Sequence, residues 1–186
     1  PLSKALWKGE PLESIWRGTA EVGADLYLGR QASALDLATK SVRDDLGTTR
    51  TFEKLLFATG GTPRRLPFGG DDVLYFRTLA DYRRLRTLAA SGRRLAVVGG
   101  GFIGSEIAAA LASQGCQVTM LFPDEGIGSR LFPADLAQFL VGYYRDKGVD
   151  VRPGERVSDI QRRGSELQVA TASGLRVKVE AVVAGI

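Results

Sequence analysis

The residues best placed to do chemistry are Gly99-Gly100-Gly101-Phe102-Ile103-Gly104, which carry the spacing G-x-G-x-x-G. The string alone is weak evidence, but it directly follows the apolar run Leu95-Ala96-Val97-Val98 and opens an alanine-rich stretch of helical composition. In that setting Gly99 permits a tight strand-to-helix turn, Gly101 lets a pyrophosphate come against the backbone, and Gly104 lets the helix pack close to the strand. The free N–H groups and partial positive charge at the helix start then bind the phosphates. The plain alternative is a glycine-rich turn in an α/β domain that binds no nucleotide.

An acid that holds the adenosine ribose hydroxyls is expected about twenty residues on, at the end of the second strand. Phe122 stands there, and acids follow at Asp124 and Glu125. The strand end offers no Arg to a 2′-phosphate before Arg130, so NAD is expected over NADP. Glu125 reads equally as a solvated loop acid. Glu106 lies in the first helical turn, where the helix dipole favours an acid whether or not it has a chemical role.

Composition removes several chemistries. The 186 residues contain no His, so no Ser–His or Cys–His nucleophile pair can be built from them. Cys116 is the single cysteine, which excludes a two-thiol relay or a cysteine zinc site within the chain, and no metal site is expected. Between a helix and a strand, Cys116 reads as packing. A lone thiol suits a reducing compartment, and the expected setting is the cytoplasm, or the mitochondrion if the source is eukaryotic. The net charge of +4 is spread out, and Arg83, Arg84 and Arg86 beside Asp81 read as a solvated face. Nucleic acid is not expected as a partner, since no binding motif accompanies the charge. No apolar run approaches the roughly 18 residues of a membrane span. The start at Pro1-Leu2-Ser3-Lys4 and the end at Ala184-Gly185-Ile186 read as cuts, so a fragment of a longer protein is expected.

The elements that must position these residues follow from pattern. Residues 1–61 read as short strands, at 25–28, 32–37 and 41–43, with a tight turn at Asp44, Asp45 and Gly47 and a buried strand at Lys54–Ala58. Thr62 to Gly70 reads as a linker, and the domains are placed at 1–66 and 67–186. Thr78 caps a helix with Asp81 three residues on, with Leu79, Tyr82, Leu85 and Leu88 on one face, before Gly92. Strand 94–98, helix 102–114, strand 117–121, helix 133–147 and strand 149–151 follow. Three polar–apolar strands at 155–162, 166–171 and 175–180, then Val182–Ala184, complete the set. The fold class is α/β: a Rossmann-like NAD-binding domain, with a parallel sheet plus an antiparallel meander.

Four strings resemble one family. Pro1-Leu2-Ser3-Lys4 with Leu6-Trp7 resembles a flavin-site segment, and Ala58-Thr59-Gly60-Gly61-Thr62-Pro63-Arg64 a second flavin-domain signature. Gly99 to Glu106 resembles an NAD motif, and Leu121-Phe122-Pro123-Asp124-Glu125-Gly126 a second-strand end. In order and spacing the chain resembles the middle of a two-dinucleotide flavoprotein of the apoptosis-inducing factor type, close to NADH–ferredoxin and rubredoxin reductases. The resemblance implies an oxidoreductase using NAD(H) and FAD. Lys4 and Glu106 would form a catalytic pair beside the flavin, with Arg77 touching it. Ala32 would meet the FAD adenine, and Thr59 and Gly60 would belong to the FAD site. Asp124 would take the ribose role, Arg130 would lie near the NAD adenosine, Phe102 and Ile103 would line the nicotinamide path, and Gly185 would lie against the NAD.

The resemblance also implies a first flavin fingerprint before Pro1 and further segments after Ile186, so the chain is expected to carry little FAD. Residues 1–61 are expected to be poorly ordered or ordered by self-association, with a homodimer allowed for. NADH is the expected partner, with an iron–sulfur protein or a quinone as electron acceptor. The rivals are a ferredoxin or rubredoxin reductase and an NADH-sensing scaffold that works by binding partners.

Overall fold

The computed structural model describes residues 2–16 and 18–186. Pro1, the first residue of the segment matched to a flavin site, lies outside them. The described chain forms two compact units, one of Trp16–Thr62 and one of the residues up to Ile15 together with Pro63–Ile186. Residues 2–15 thus pack with Pro63–Ile186 rather than with Trp16–Thr62.

The larger unit is built on a five-stranded parallel sheet. Its strands are β4 (Val73–Tyr75), β5 (Arg94–Val98), β6 (Gln117–Phe122), β7 (Asp150–Pro153) and β11 (Ala181–Ala184), in the order β4-β11-β5-β6-β7. Three helices, α1 (Leu79–Leu88), α2 (Phe102–Ser113) and α3 (Ala134–Asp146), connect or flank them. An antiparallel meander of β8 (Val157–Arg163), β9 (Glu166–Thr171) and β10 (Arg176–Val179) completes the unit.

Alternation along the strands sorts the apolar residues onto the two faces. Leu74, Leu95, Val97, Met120 and Val183 join Leu85, Ile107, Leu111 and Val141 of the helices. Val73, Ala96, Val98, Leu121 and Val182 join Ile160, Leu167, Val169 and Val179 of the meander. The central strands are apolar on both faces because both faces are covered. α1 begins with a full capping box, the Thr78 hydroxyl accepting from the Asp81 N–H and the Asp81 side chain accepting from the Thr78 N–H. Burial pushes the Asp81 carboxyl up, but the hydrogen bonds from Thr78 and the Arg77 N–H outweigh it and leave the group below its usual range. Cys116 is buried and its thiol is pushed up by that burial, as suits a packing residue. Among the described residues no helix is long and apolar enough to cross a membrane.

The smaller unit holds the antiparallel strands β1 (Ala32–Asp36), β2 (Ser41–Asp44) and β3 (Thr49–Thr51). Among the residues whose burial is described, Asp44 is its only buried one. One Asp44 oxygen accepts from Arg30 at 2.6 Å and Arg50 at 3.0 Å, the other from the N–H groups of Leu46 at 3.1 Å and Thr48 at 2.9 Å. The Arg50 guanidinium also lies 3.7 Å from the centroid of the Tyr27 ring. Burial raises the Asp44 carboxyl, yet these donors hold it far below the ordinary carboxylate range.

Three expectations for the first sixty residues are corrected. Residues 25–28 and 54–58 form no strand; Leu56 and Phe57 are exposed, and no neighbouring strand takes up their backbone groups. A strand needs that neighbour, which an apolar run cannot supply alone. Ala5–Lys8, Leu12–Ile15 and Thr19–Val22 are short 3₁₀ turns. Residues 2–15 are not loose, because Leu6 and Trp7 are buried, and Trp7 packs edge-on to Tyr82 at 5.5 Å.

Candidate functional site

The glycine string lies between the end of β5 and the start of α2. Gly99 has φ +119°, a region closed to most side chains, and a Cβ on it would stand 2.5 Å from the Gly185 carbonyl oxygen. A Cβ on Gly104 would run into the Gly99 carbonyl, and one on Gly185 would come 2.5 Å from the Gly104 nitrogen. These three glycines let the ends of β5 and β11 and the first turn of α2 touch backbone to backbone. Gly100 is closed by the ring of Phe122, 2.7 Å from where its Cβ would be. Gly101 differs from all four: nothing lies within 4 Å of its Cβ position.

The open side of Gly101 faces a cleft of about 390 Å³, lined by Arg64, Gly99–Gly101, Asp124, Gly128–Leu131, Gly185 and other residues. Phe122 is 1% exposed and packs beneath the glycine turn, so the usual place for a ribose-binding acid belongs to the core. Asp124, two residues on, lines the cleft and pairs with Arg130 at 3.3 Å. A hydrogen bond from the Gly154 N–H to the Asp124 carbonyl, 3.0 Å, fixes its backbone. Glu125 is exposed and lies outside the cleft lining.

A second cavity, about 290 Å³, takes its walls from Leu2, Ser3, Phe76, Arg77, Ile103, Glu106 and Ile107. Glu106 is reached by two residues far away in sequence. Lys4 Nζ lies 3.4 Å from Oε1, and the Ser3 hydroxyl donates to Oε2. Tyr82 Oη donates to the Leu6 carbonyl at 2.9 Å and the Gln114 side-chain amide to the Trp7 carbonyl at 3.2 Å, which holds this segment on α1 and α2. Arg77 is oriented by its own N–H bond to Asp81, 3.0 Å. On the far side of α2 the Tyr144 hydroxyl donates to the Ser105 carbonyl at 3.2 Å, and burial pushes that phenol up.

The structure thus brings Lys4, Arg77, Ile103 and Glu106 together, and Gly99, Gly100, Gly101, Asp124, Arg130 and Gly185 together. Phe102 turns toward Phe132, 5.8 Å between ring centroids, and lines neither cavity. Gly104 serves the close packing alone. Ala32, Thr59 and Gly60 belong to the smaller unit. Sequence reasoning gave no role to Ser3 or Arg64; both stand in the quoted strings, but only the fold brings them to a site.

The Lys4 and Glu106 side chains are 60% and 38% exposed, and an ion pair so hydrated adds little stability. Glu106→Gln is therefore expected to leave the unfolding free energy within about 0.5 kcal/mol of the parent. Urea titration checks this; a larger loss would make the residue a structural one.

The residues fit a dinucleotide, since an open cleft lies at Gly101, directly before the start of α2, where a helix leaves its first N–H groups free for phosphate. Residues 1–186 match the family described as pyridine nucleotide-disulphide oxidoreductase. The chain is 32% identical over 188 residues to monodehydroascorbate reductase 4, cytosolic, of Oryza sativa subsp. japonica, covering 96% of this chain and 43% of that protein. It is 31% identical over 194 residues to the biphenyl dioxygenase system ferredoxin–NAD(+) reductase component of Paraburkholderia xenovorans, covering 100% of this chain and 47% of that protein. The fold superimposes on the covalent putidaredoxin reductase–putidaredoxin complex with a TM-score of 0.87 at 30% identity, over 100% of this chain and 48% of that one. The chain spans less than half the length of each.

Proposed function

Because the chain belongs to the pyridine nucleotide-disulphide oxidoreductase family, we propose that it carries the NAD(H) site and part of the FAD site of an NADH-dependent oxidoreductase that passes electrons to an external acceptor. An iron–sulfur protein fits best, given the ferredoxin- and putidaredoxin-linked names of the relatives; a quinone is the other acceptor class. Residues 1–66 are assigned to the FAD-binding part and 67–186 to the NAD-binding part, in a cytoplasmic setting. The observation that carries the reading is the open face of Gly101 in a turn whose other glycines are all closed by neighbouring atoms.

In this reading the pyrophosphate rests on Gly101 and the start of α2, and Asp124 accepts from the adenosine ribose hydroxyls while Arg130 holds the carboxylate in place. Lys4, Glu106 and Arg77 form the wall that the flavin ring meets, and Ser3 fixes the Glu106 carboxylate so that its charge stays beside Lys4. Bound FAD supplies the redox chemistry; the side chains supply position and electrostatics. Cys116, alone and buried, takes no part, so electrons leave to a molecule outside these residues. The narrower resemblance to the apoptosis-inducing factor type rests on Leu121–Gly126, and the relatives named above, all reductases, favour an enzyme over a partner-binding scaffold.

The chain is expected to bind NADH at least about tenfold more tightly than NADPH, because a 2′-phosphate would meet the Asp124 carboxylate. Calorimetric titration with both nucleotides tests the reading. NADPH binding as tight as NADH overturns the Asp124 assignment, and binding of neither overturns the site.

A further inference from the structure

We propose that Arg64 is a phosphate-contacting residue of the cleft, giving the dinucleotide pyrophosphate a side-chain cation that the glycine turn lacks; this rests on the reading of that cleft as an NADH site. Arg64 shares the cleft lining with Gly99, Gly100 and Gly101. The other two charged residues of the lining, Asp124 and Arg130, lie 3.3 Å apart and cancel one another. Among the described residues no carboxylate lies within ion-pair distance of Arg64, so it is the uncompensated charge of this cleft.

The backbone around Arg64 is held. The Leu66 N–H donates to Tyr75 Oη at 2.7 Å, and Leu66 packs against the core on the meander side of the sheet. The neighbouring Arg65 lies with its guanidinium 5.1 Å from the Tyr75 ring centroid, engaged away from the glycines. Arg64 is therefore presented to the cleft from a fixed segment two residues ahead of an anchored one. The pyrophosphate of a dinucleotide carries two negative charges, whereas a helix N-terminus offers roughly half a positive one. A guanidinium matches phosphate oxygens with paired N–H donors, and an ammonium does so less well.

The test uses Arg64→Ala and Arg64→Lys, titrated with NADH, with ADP-ribose, and with adenosine at millimolar concentration. Arg64 is exposed, so both variants should keep the parent circular dichroism. Arg64→Ala is expected to weaken NADH and ADP-ribose about 10- to 100-fold, the worth of a hydrogen bond to a charged group, and to leave adenosine unchanged. Arg64→Lys should fall between, and the salt dependence of NADH binding should flatten in Arg64→Ala. Parent-like ADP-ribose binding by Arg64→Ala overturns the proposal while leaving the cleft reading intact. An equal loss for adenosine overturns it too, placing Arg64 at the adenosine end. If the parent chain binds neither NADH nor ADP-ribose, the cleft reading falls and the role of Arg64 with it.

Discussion

Gly101→Val removes NADH binding to below detection and leaves the parallel sheet folded, whereas Gly104→Ala, a smaller change, damages the fold. The contrast follows from what surrounds each position. Nothing lies within 4 Å of a Cβ on Gly101, so a valine there fills the cleft and nothing else. A Cβ on Gly104 runs into the Gly99 carbonyl, which is backbone directly after β5, so α2 itself must move. That movement is expected to cost about 1–3 kcal/mol, the range for overpacking a filled site. Circular dichroism, thermal unfolding and NADH titration on the two variants check the pair. NADH binding by folded Gly101→Val at parent affinity would place the pyrophosphate elsewhere, and parent-like unfolding of Gly104→Ala would show that α2 relaxes freely.

Asp44→Ala is expected to release the three-stranded sheet of the smaller unit while the larger unit stays folded. Asp44 is that sheet's buried centre, and removing it leaves Arg30 and Arg50 without their shared partner and the Leu46 and Thr48 N–H groups without their acceptor. Most of the hydrogen-exchange protection across β1–β3 should disappear, with amides of β5, β6 and β11 unchanged. The pH dependence has a definite sign. Folding lowers the Asp44 carboxyl below its ordinary 3.8, so the ionised group stabilises the sheet above that pH and the stabilisation is lost as pH falls toward the lower folded value. The parent sheet should therefore loosen in acid below about pH 4, and Asp44→Asn should lack that step. Full protection of β1–β3 in Asp44→Ala would overturn the account.

The larger unit was legible in sequence because its signals are local. The Thr78–Asp81 cap, the β5-turn-α2 glycines and the apolar period of α3 each depend on residues within a few positions of one another. Where a feature depends on distant neighbours the sequence fell silent. Val73–Tyr75 is too short a run to announce a strand, and becomes one only because β11 lies beside it. Lys54–Ala58 has the composition of a buried strand and no neighbour that makes it one. The same limit applied at the site. The glycine turn could be read from spacing and Asp124 from the resemblance of Leu121–Gly126, but Ser3 meets Glu106, and Arg64 meets the glycine turn, only through the fold.

The position of β11 has a consequence for how the chain is made. It lies between β4 and β5, hydrogen-bonded to both, so the sheet has a vacant central place until Ala181–Ala184 arrive. On a ribosome advancing at about 5–20 residues per second, β4 emerges many seconds before the strand that joins it to the rest. During that interval Val73, Leu74 and Tyr75, buried in the finished molecule, have no partner for their ladder. Synthesis thus passes through a stage in which one edge of β5 invites the wrong strand, and slowed elongation over the meander would lengthen it.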